Sequence, residues 1–213
     1  MNDIETVKQT LTEEYDVSRE TLSDLERLVE LLVKWNKAIN LVGKSTLDQV
    51  WSRHILDSAQ IWSQRPADLR TWVDLGSGGG FPALVLAILA KKDAPNAVFH
   101  MIESDVRKCS FLRTVSRETF SKTEIHAVRI ESAPDIQADV VSARALASVD
   151  QLLSYSEKFL GISGFCLFLK GQGCVTEVEN AQESWKFEFS TTQSLTDLSA
   201  QVLKVWNIAR AND

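Results

Sequence analysis

The sequence predicts an α/β fold: a mostly parallel seven-stranded sheet with an antiparallel edge, preceded by an N-terminal helical extension. Three observations carry this. From residue 71 onward, short apolar runs alternate with helical stretches, which is how strand–helix–strand units build a parallel sheet covered on both faces. Four of the nine glycines crowd into residues 76–80, between an apolar run and a helical one. The last two apolar runs have no helix between them, as expected of an edge hairpin. The expected division is residues 1–65 for the extension and 66–213 for the sheet domain.

The elements follow in order. Leu22, Leu25, Leu28, Val29, Leu32, Trp35 and Ile39 recur at three- and four-residue spacing, so the leader reads as helix with one buried stripe. Gly43 is expected to cap its end, and Ser45 or Thr46 to open the next helix, "LDQVWSRHILDSAQIW". There Val50, His54, Asp57 and Ile61 share a face. "SQRPADLR" is a linker. Strands are expected in "TWVDL", "AVFHMIE", "IHAVRI", "DVVSA", "FCLFLK", "WKFEFS" and "QVLKVWNIA", with helices near 82–92, 105–120, 148–159 and 174–183.

Composition excludes several classes. Hydrophobic residues make up 44% and charged residues 24% of the 213-residue chain, ordinary for a soluble globular protein. No basic start precedes an apolar core, and the longest apolar run, "FPALVLAILA", stops at Lys91 and Lys92, short of a bilayer span. A cytoplasmic monomer without a membrane anchor is expected. Cys109, Cys166 and Cys174 lack CxxC spacing and read as reduced structural thiols, with no metal. The net charge of -6 lies wholly in residues 1–30, which hold nine acids and three bases. Any basic face is therefore local. Candidates are "RKCSFLRTVSRETFSK" (107–122) and Lys34, Lys37, Lys44 and Arg53 of the leader.

The glycine cluster follows a strand and opens a helix. Such a turn lets the backbone approach a ligand closely and offers it the free N–H groups of the first helical turn. The dinucleotide pattern G-x-G-x-x-G fails, because its last position is Phe81. The pattern present is G-x-G-x-G, Gly76-Ser77-Gly78-Gly79-Gly80, two residues after Asp74. It resembles motif I of the class I (Rossmann-like) S-adenosylmethionine-dependent methyltransferases, while a structural turn or another nucleotide remains open. Glu103 ends the next strand at a distance suited to ribose hydroxyls. After the third strand, Ile130 can pack on an adenine ring and Glu131 can read its edge.

Taken together and in this order, "WNKAINLVGKS", "RHILDSAQI", "VDLGSGGGFPAL", "ESDVRKCSFLR", "VVSARALAS" and "FLKGQ" resemble the RsmG (GidB) family over nearly the whole chain. Its members methylate N7 of a guanosine in 16S ribosomal RNA. The resemblance implies S-adenosylmethionine as cofactor and 16S rRNA or the small subunit as partner. It places the cofactor against Gly76, Phe81, Ile130, Glu131 and Arg144, with Glu103 on the ribose. Asp74, Gly78 and Gly80 complete the expected cofactor set. Arg144, Lys170 and His54 are the expected catalytic residues, Lys170 as a phosphate contact and His54 at the site edge with Arg53 and Asp57. His100 and His126 read as core or edge residues.

Guanine N7 carries a free lone pair, so methylation there needs alignment and exclusion of water but no general base. The sequence lacks the Asn/Asp-Pro-Pro-Tyr/Phe and Pro-Cys motifs of adenine-N6 and cytosine-C5 enzymes. The competing readings are a methyltransferase of another substrate, a nucleotide-binding oxidoreductase and an RNA-binding protein with a vestigial loop.

Overall fold

The computed structural model describes residues 3–211. Two helices, α1 (Asp3–Glu14) and α2 (Arg19–Asn36), form the leader. Ser18 caps α2 by accepting from the Thr21 amide. A 3-10 turn (Lys44–Gln49), a π-helical turn (Trp51–Leu56) and the short α3 (Asp57–Ala59) carry the chain to the sheet. The sheet strands are β1 (Thr71–Leu75), β2 (Val98–Ile102), β3 (Thr123–His126), β4 (Ala138–Arg144), β5 (Leu160–Lys170), β6 (Trp185–Gln193) and β7 (Gln201–Arg210). Between them lie α4 (Ala83–Asp93), α5 (Val106–Thr119), α6 (Val149–Ser156) and α7 (Cys174–Ala181).

The strand order is β3-β2-β1-β4-β5-β7-β6. The first five pair in parallel, and β7 runs antiparallel to both β5 and β6, as the missing helix in the tail predicts. From β1 the chain winds first to β2 and β3, then returns to β4 on the other side. That reversal opens a crevice at the carboxyl ends of β1 and β4, where ligands of such sheets bind.

Residues Ala83–Ala90 of α4 are buried on every side. A helix apolar all round needs cover all round, and the leader supplies it. Leu25, Leu28, Leu31 and Leu32 share one buried cluster with α4, α5 and one sheet face. The opposite face packs Val73, Val141 and Phe168 against Val149, Leu152 and Leu153 of α6 and Val178 of α7.

Three local expectations are corrected. The third strand is Thr123–His126, not 125–130. Its partner β2 ends at Ile102, opposite His126, so later residues have no ladder to join; Val128 and Ile130 pack against the core cluster of α6 and α7 instead. Gly43 does not end a helix in the left-handed conformation, since its φ is -59° and α2 has already stopped at Asn36. Asn36 satisfies the following backbone by accepting from the Leu41 and Val42 amides. Ser45 and Thr46 lie inside the 3-10 turn, and Thr46 donates back to the Gly43 carbonyl at 2.8 Å. The segment after them is a π turn rather than regular α-helix.

Candidate active site

The glycine loop leaves β1 with Gly76, Gly78 and Gly80 all at positive φ (63°, 52° and 86°). The three do different things. A Cβ on Gly76 would lie 2.7 Å from Leu146. One on Gly80 would lie 2.2 Å from Leu84, so this glycine lets α4 pack rather than letting a ligand approach. One on Gly78 would meet nothing nearer than the Gly76 carbonyl at 3.6 Å, and this glycine borders open space.

That space is a cavity of about 320 Å³. Gly76, Gly78, Glu103, Ile130, Glu131 and Arg144 line it, six of the expected site residues. Glu103, 8% exposed, ties its walls together: its carboxylate accepts from the Gly78 amide at 2.9 Å and the Asp105 amide at 2.8 Å. Asp74, Gly80 and Phe81 do not line it. Asp74 is buried beneath the loop, where it accepts from the Ser142 hydroxyl at 2.5 Å and Ser142 accepts from the Trp72 indole. Burial pushes its carboxyl up to about 6.

Arg144 stands at the end of β4, at the reversal of strand order, and its position is fixed by the leader. Nη1 donates to Asp57 Oδ2 and to the Arg53 carbonyl, each at 3.1 Å, and Nη2 donates to His54 Nδ1 at 2.9 Å. Phe81 lies beneath both, with His54 stacked on it at 4.9 Å and the guanidinium 5.2 Å above its ring. Arginine can only donate, so His54 Nδ1 must accept and the proton sits on Nε2. From there it points to Thr46 Oγ1 at 2.9 Å, and Thr46 donates onward to Gly43. Burial, then the charges of Arg144 and Arg53, pushes the imidazole down to about 3. Both ring nitrogens of His54 are thus engaged, one with Arg144 and one with Thr46, and the ring is held neutral.

Beyond Arg144 lies a second cavity of about 300 Å³, which shares Arg144 and Ala145 with the first. Ala145 takes φ 50°, an uncommon value for a residue with a Cβ. Lys170 lines this cavity, but its ammonium is already paired with Glu177 at 2.6 Å and donates to the Ala147 carbonyl. The β6–β7 loop closes one side: Thr196 donates to Asp57 Oδ1 at 2.9 Å, and Asp197 pairs with Arg53 at 2.9 Å. The sequence reading missed this loop and did not place Leu146, Tyr155 and Lys108 at the first cavity or Thr46 at the second. Only the Ser/Thr/Asp run of "SLTDLSA" hinted at a structured turn.

Residues 21–205 match the family described as rRNA small subunit methyltransferase G. This chain belongs to that family. The ribosomal RNA small subunit methyltransferase G of Cereibacter sphaeroides (strain ATCC 17029 / ATH 2.4.9) is 46% identical over 203 residues, covering 95% of this chain and 98% of that one. The protein of the same description from Rhodospirillum centenum is 48% identical over 195 residues, covering 92% and 88%. Solved structures share the fold. A ribosomal protein L11 methylase from Lactobacillus delbrueckii aligns with a TM-score of 0.57 at 13% identity, over 70% of this chain and 76% of that one. M. jannaschii TYW2 in complex with AdoMet aligns with 0.55 at 12% identity, over 82% and 78%. The chain thus has the class I methyltransferase fold and is an S-adenosylmethionine-dependent rRNA methyltransferase, as the motifs predict.

Proposed function

We propose that this chain transfers a methyl group from S-adenosylmethionine to N7 of a guanosine in 16S rRNA, in the cytoplasm and as a monomer. The observation that carries the site assignment is the pair of cavities meeting at Arg144 and Ala145. One has the residues a nucleoside cofactor needs: free backbone at Gly78, the Glu103 carboxylate for ribose hydroxyls, and Ile130 for an adenine face. The other is lined by Thr46, Gln60, Ser194 and Gln201 beside apolar Leu169 and Val202, a mix that suits the edge and faces of an extruded guanine, since a base cannot be reached inside its stack. Bound in the first cavity, S-adenosylmethionine supplies an electrophilic methyl group.

The chain's own residues then have limited work. N7 needs no deprotonation, and the two expected catalytic residues beside Arg144 are engaged: His54 is held neutral and Lys170 is paired with Glu177. Arg144, as a fixed donor, can hold guanine O6 or an adjoining phosphate, which aligns N7. Asp57 and His54 act through Arg144 as positioning residues. Lys37, Lys44, Arg107 and Lys108 border a groove of about 770 Å³ between the leader and α5, a basic path for the RNA backbone in an otherwise acidic protein. None of the described helices is long and apolar enough to cross a membrane.

The test is incubation with labelled S-adenosylmethionine and 16S rRNA or small subunits from a strain lacking this activity. Label recovered as N7-methylguanosine supports the proposal. No label in 16S rRNA, or label on another atom, overturns it.

A further inference from the structure

Away from the methyl-transfer site, β2 and β3 bring together His100, Glu124 and His126. His100 and Glu124 are cross-strand partners, and His126 follows Glu124 by two residues, so the pleat turns all three to one face. Phe99, Met101 and Ile125 point the other way, into the core with α4 and α5. Glu124 is exposed and both histidines are half-buried.

We propose that this triad binds a divalent transition-metal ion of the zinc class. His100 Nδ1 lies 3.1 Å from His126 Nε2 and 3.5 Å from Glu124 Oε2, and the three donor atoms all lie within 4.8 Å of one another. Metal–nitrogen bonds of about 2.0–2.1 Å at tetrahedral angles separate two ligands by roughly 3.3 Å, so His100 Nδ1 already has that spacing to both of the other donors. The donor set, two imidazoles and a carboxylate with a position left to solvent, is one that zinc takes.

The protonation states agree. Partial burial holds both imidazoles below their ordinary value, so neutral rings with lone pairs are available. Glu124 Oε2 lies 3.5 Å from the neutral His100 ring, and among the described residues no lysine or arginine pairs with its carboxylate. Without metal the two rings, only 16° from parallel, share one proton in a hydrogen bond. Binding requires that proton to move to the other nitrogen of its ring, and both rings to swing their lone pairs toward the solvent side. No proton is lost overall. The His126 carbonyl accepts from the Glu103 amide at 3.1 Å, so the ion would brace the strand ends that carry Glu103 without joining the reaction.

The experiment uses the untagged full chain titrated with Co²⁺ and with Zn²⁺. We expect one Co²⁺ per chain, visible-region absorption of a tetrahedral nitrogen- and oxygen-ligated ion, and its displacement by Zn²⁺. Affinity should fall at least about tenfold in His126→Ala and in Glu124→Gln. Glu124 is exposed, so its variant keeps the fold and the comparison stands even where His126→Ala unfolds. No stoichiometric binding, or equal affinity in Glu124→Gln, overturns the site.

Discussion

Acidification tests the lock on His54. The ring is 6% exposed and its imidazole is pushed down to about 3, by burial first and then by Arg144 and Arg53. In the unfolded chain histidine titrates near 6.5. A depressed folded value means the unfolded chain takes up the proton first. The stability His54 contributes is therefore complete above about pH 6.5 and is lost as pH falls, at about 1.4 kcal/mol per unit until the folded value is reached. Between pH 7.5 and pH 5 the loss is about 2 kcal/mol. Protonation of Nδ1 also sets two donors against each other, so the Arg144 contact breaks. Denaturant unfolding at the two pH values should show the difference between the native chain and His54→Gln. The variant starts less stable, but its fall with acid is smaller by about 2 kcal/mol. Asp74, His100 and His126 titrate in both proteins and cancel. An equal fall in both, or a His54 ring resonance titrating near its ordinary value, would refute the reasoning.

Arg144→Ala is expected to lower methyl transfer far more than it lowers the unfolding midpoint, which parallel kinetics and denaturation would show. Asp57→Asn places an amide against the guanidinium and leaves a partly buried charge unpaired, so it should cost about 3 kcal/mol in unfolding free energy and lower kcat through Arg144. The two loop glycines should separate. Gly80→Ala clashes with Leu84 and fails to fold stably, whereas Gly78→Ala costs only the left-handed strain of about 1–2 kcal/mol, stays folded by circular dichroism and loses cofactor affinity by calorimetry. Asp74 has a folded value raised to about 6, so its contribution declines as pH rises from about 4 to 6 and is level above. Asp74→Asn should abolish that decline, a change of up to about 3 kcal/mol in pH-dependent unfolding free energy.

Much of the fold was legible because its signals are local. Alternating apolar runs placed six of the seven strands close to their true ranges, and the gap between the last two marked the antiparallel edge. The glycine spacing and the strand-end acid placed Gly76, Gly78 and Glu103 on one cavity, since a strand–turn–helix unit fixes those positions within a short stretch of chain. Arg144 was legible as an arginine closing an apolar strand.

What the sequence did not determine depends on contacts between distant segments. Gly80 looks like its neighbours in the loop, and only the packing of Leu84 and Leu112 against it shows that it serves the core. The third strand ended early because β2 ended, which is a property of the pair and not of "IHAVRI". His54 carries the residue type of a proton carrier; its neutral tautomer is imposed by an arginine 90 positions away. Asp57 reaches Arg144 and Thr196 across 87 and 139 positions, joining leader, central strand and tail loop at one carboxylate. Sequence alone set the fold class, the cofactor loop and the family, because backbone conformation and hydrophobic period are written locally. Only the tertiary structure decided which polar groups hold one another, because a hydrogen bond depends on where the folded chain brings its two ends.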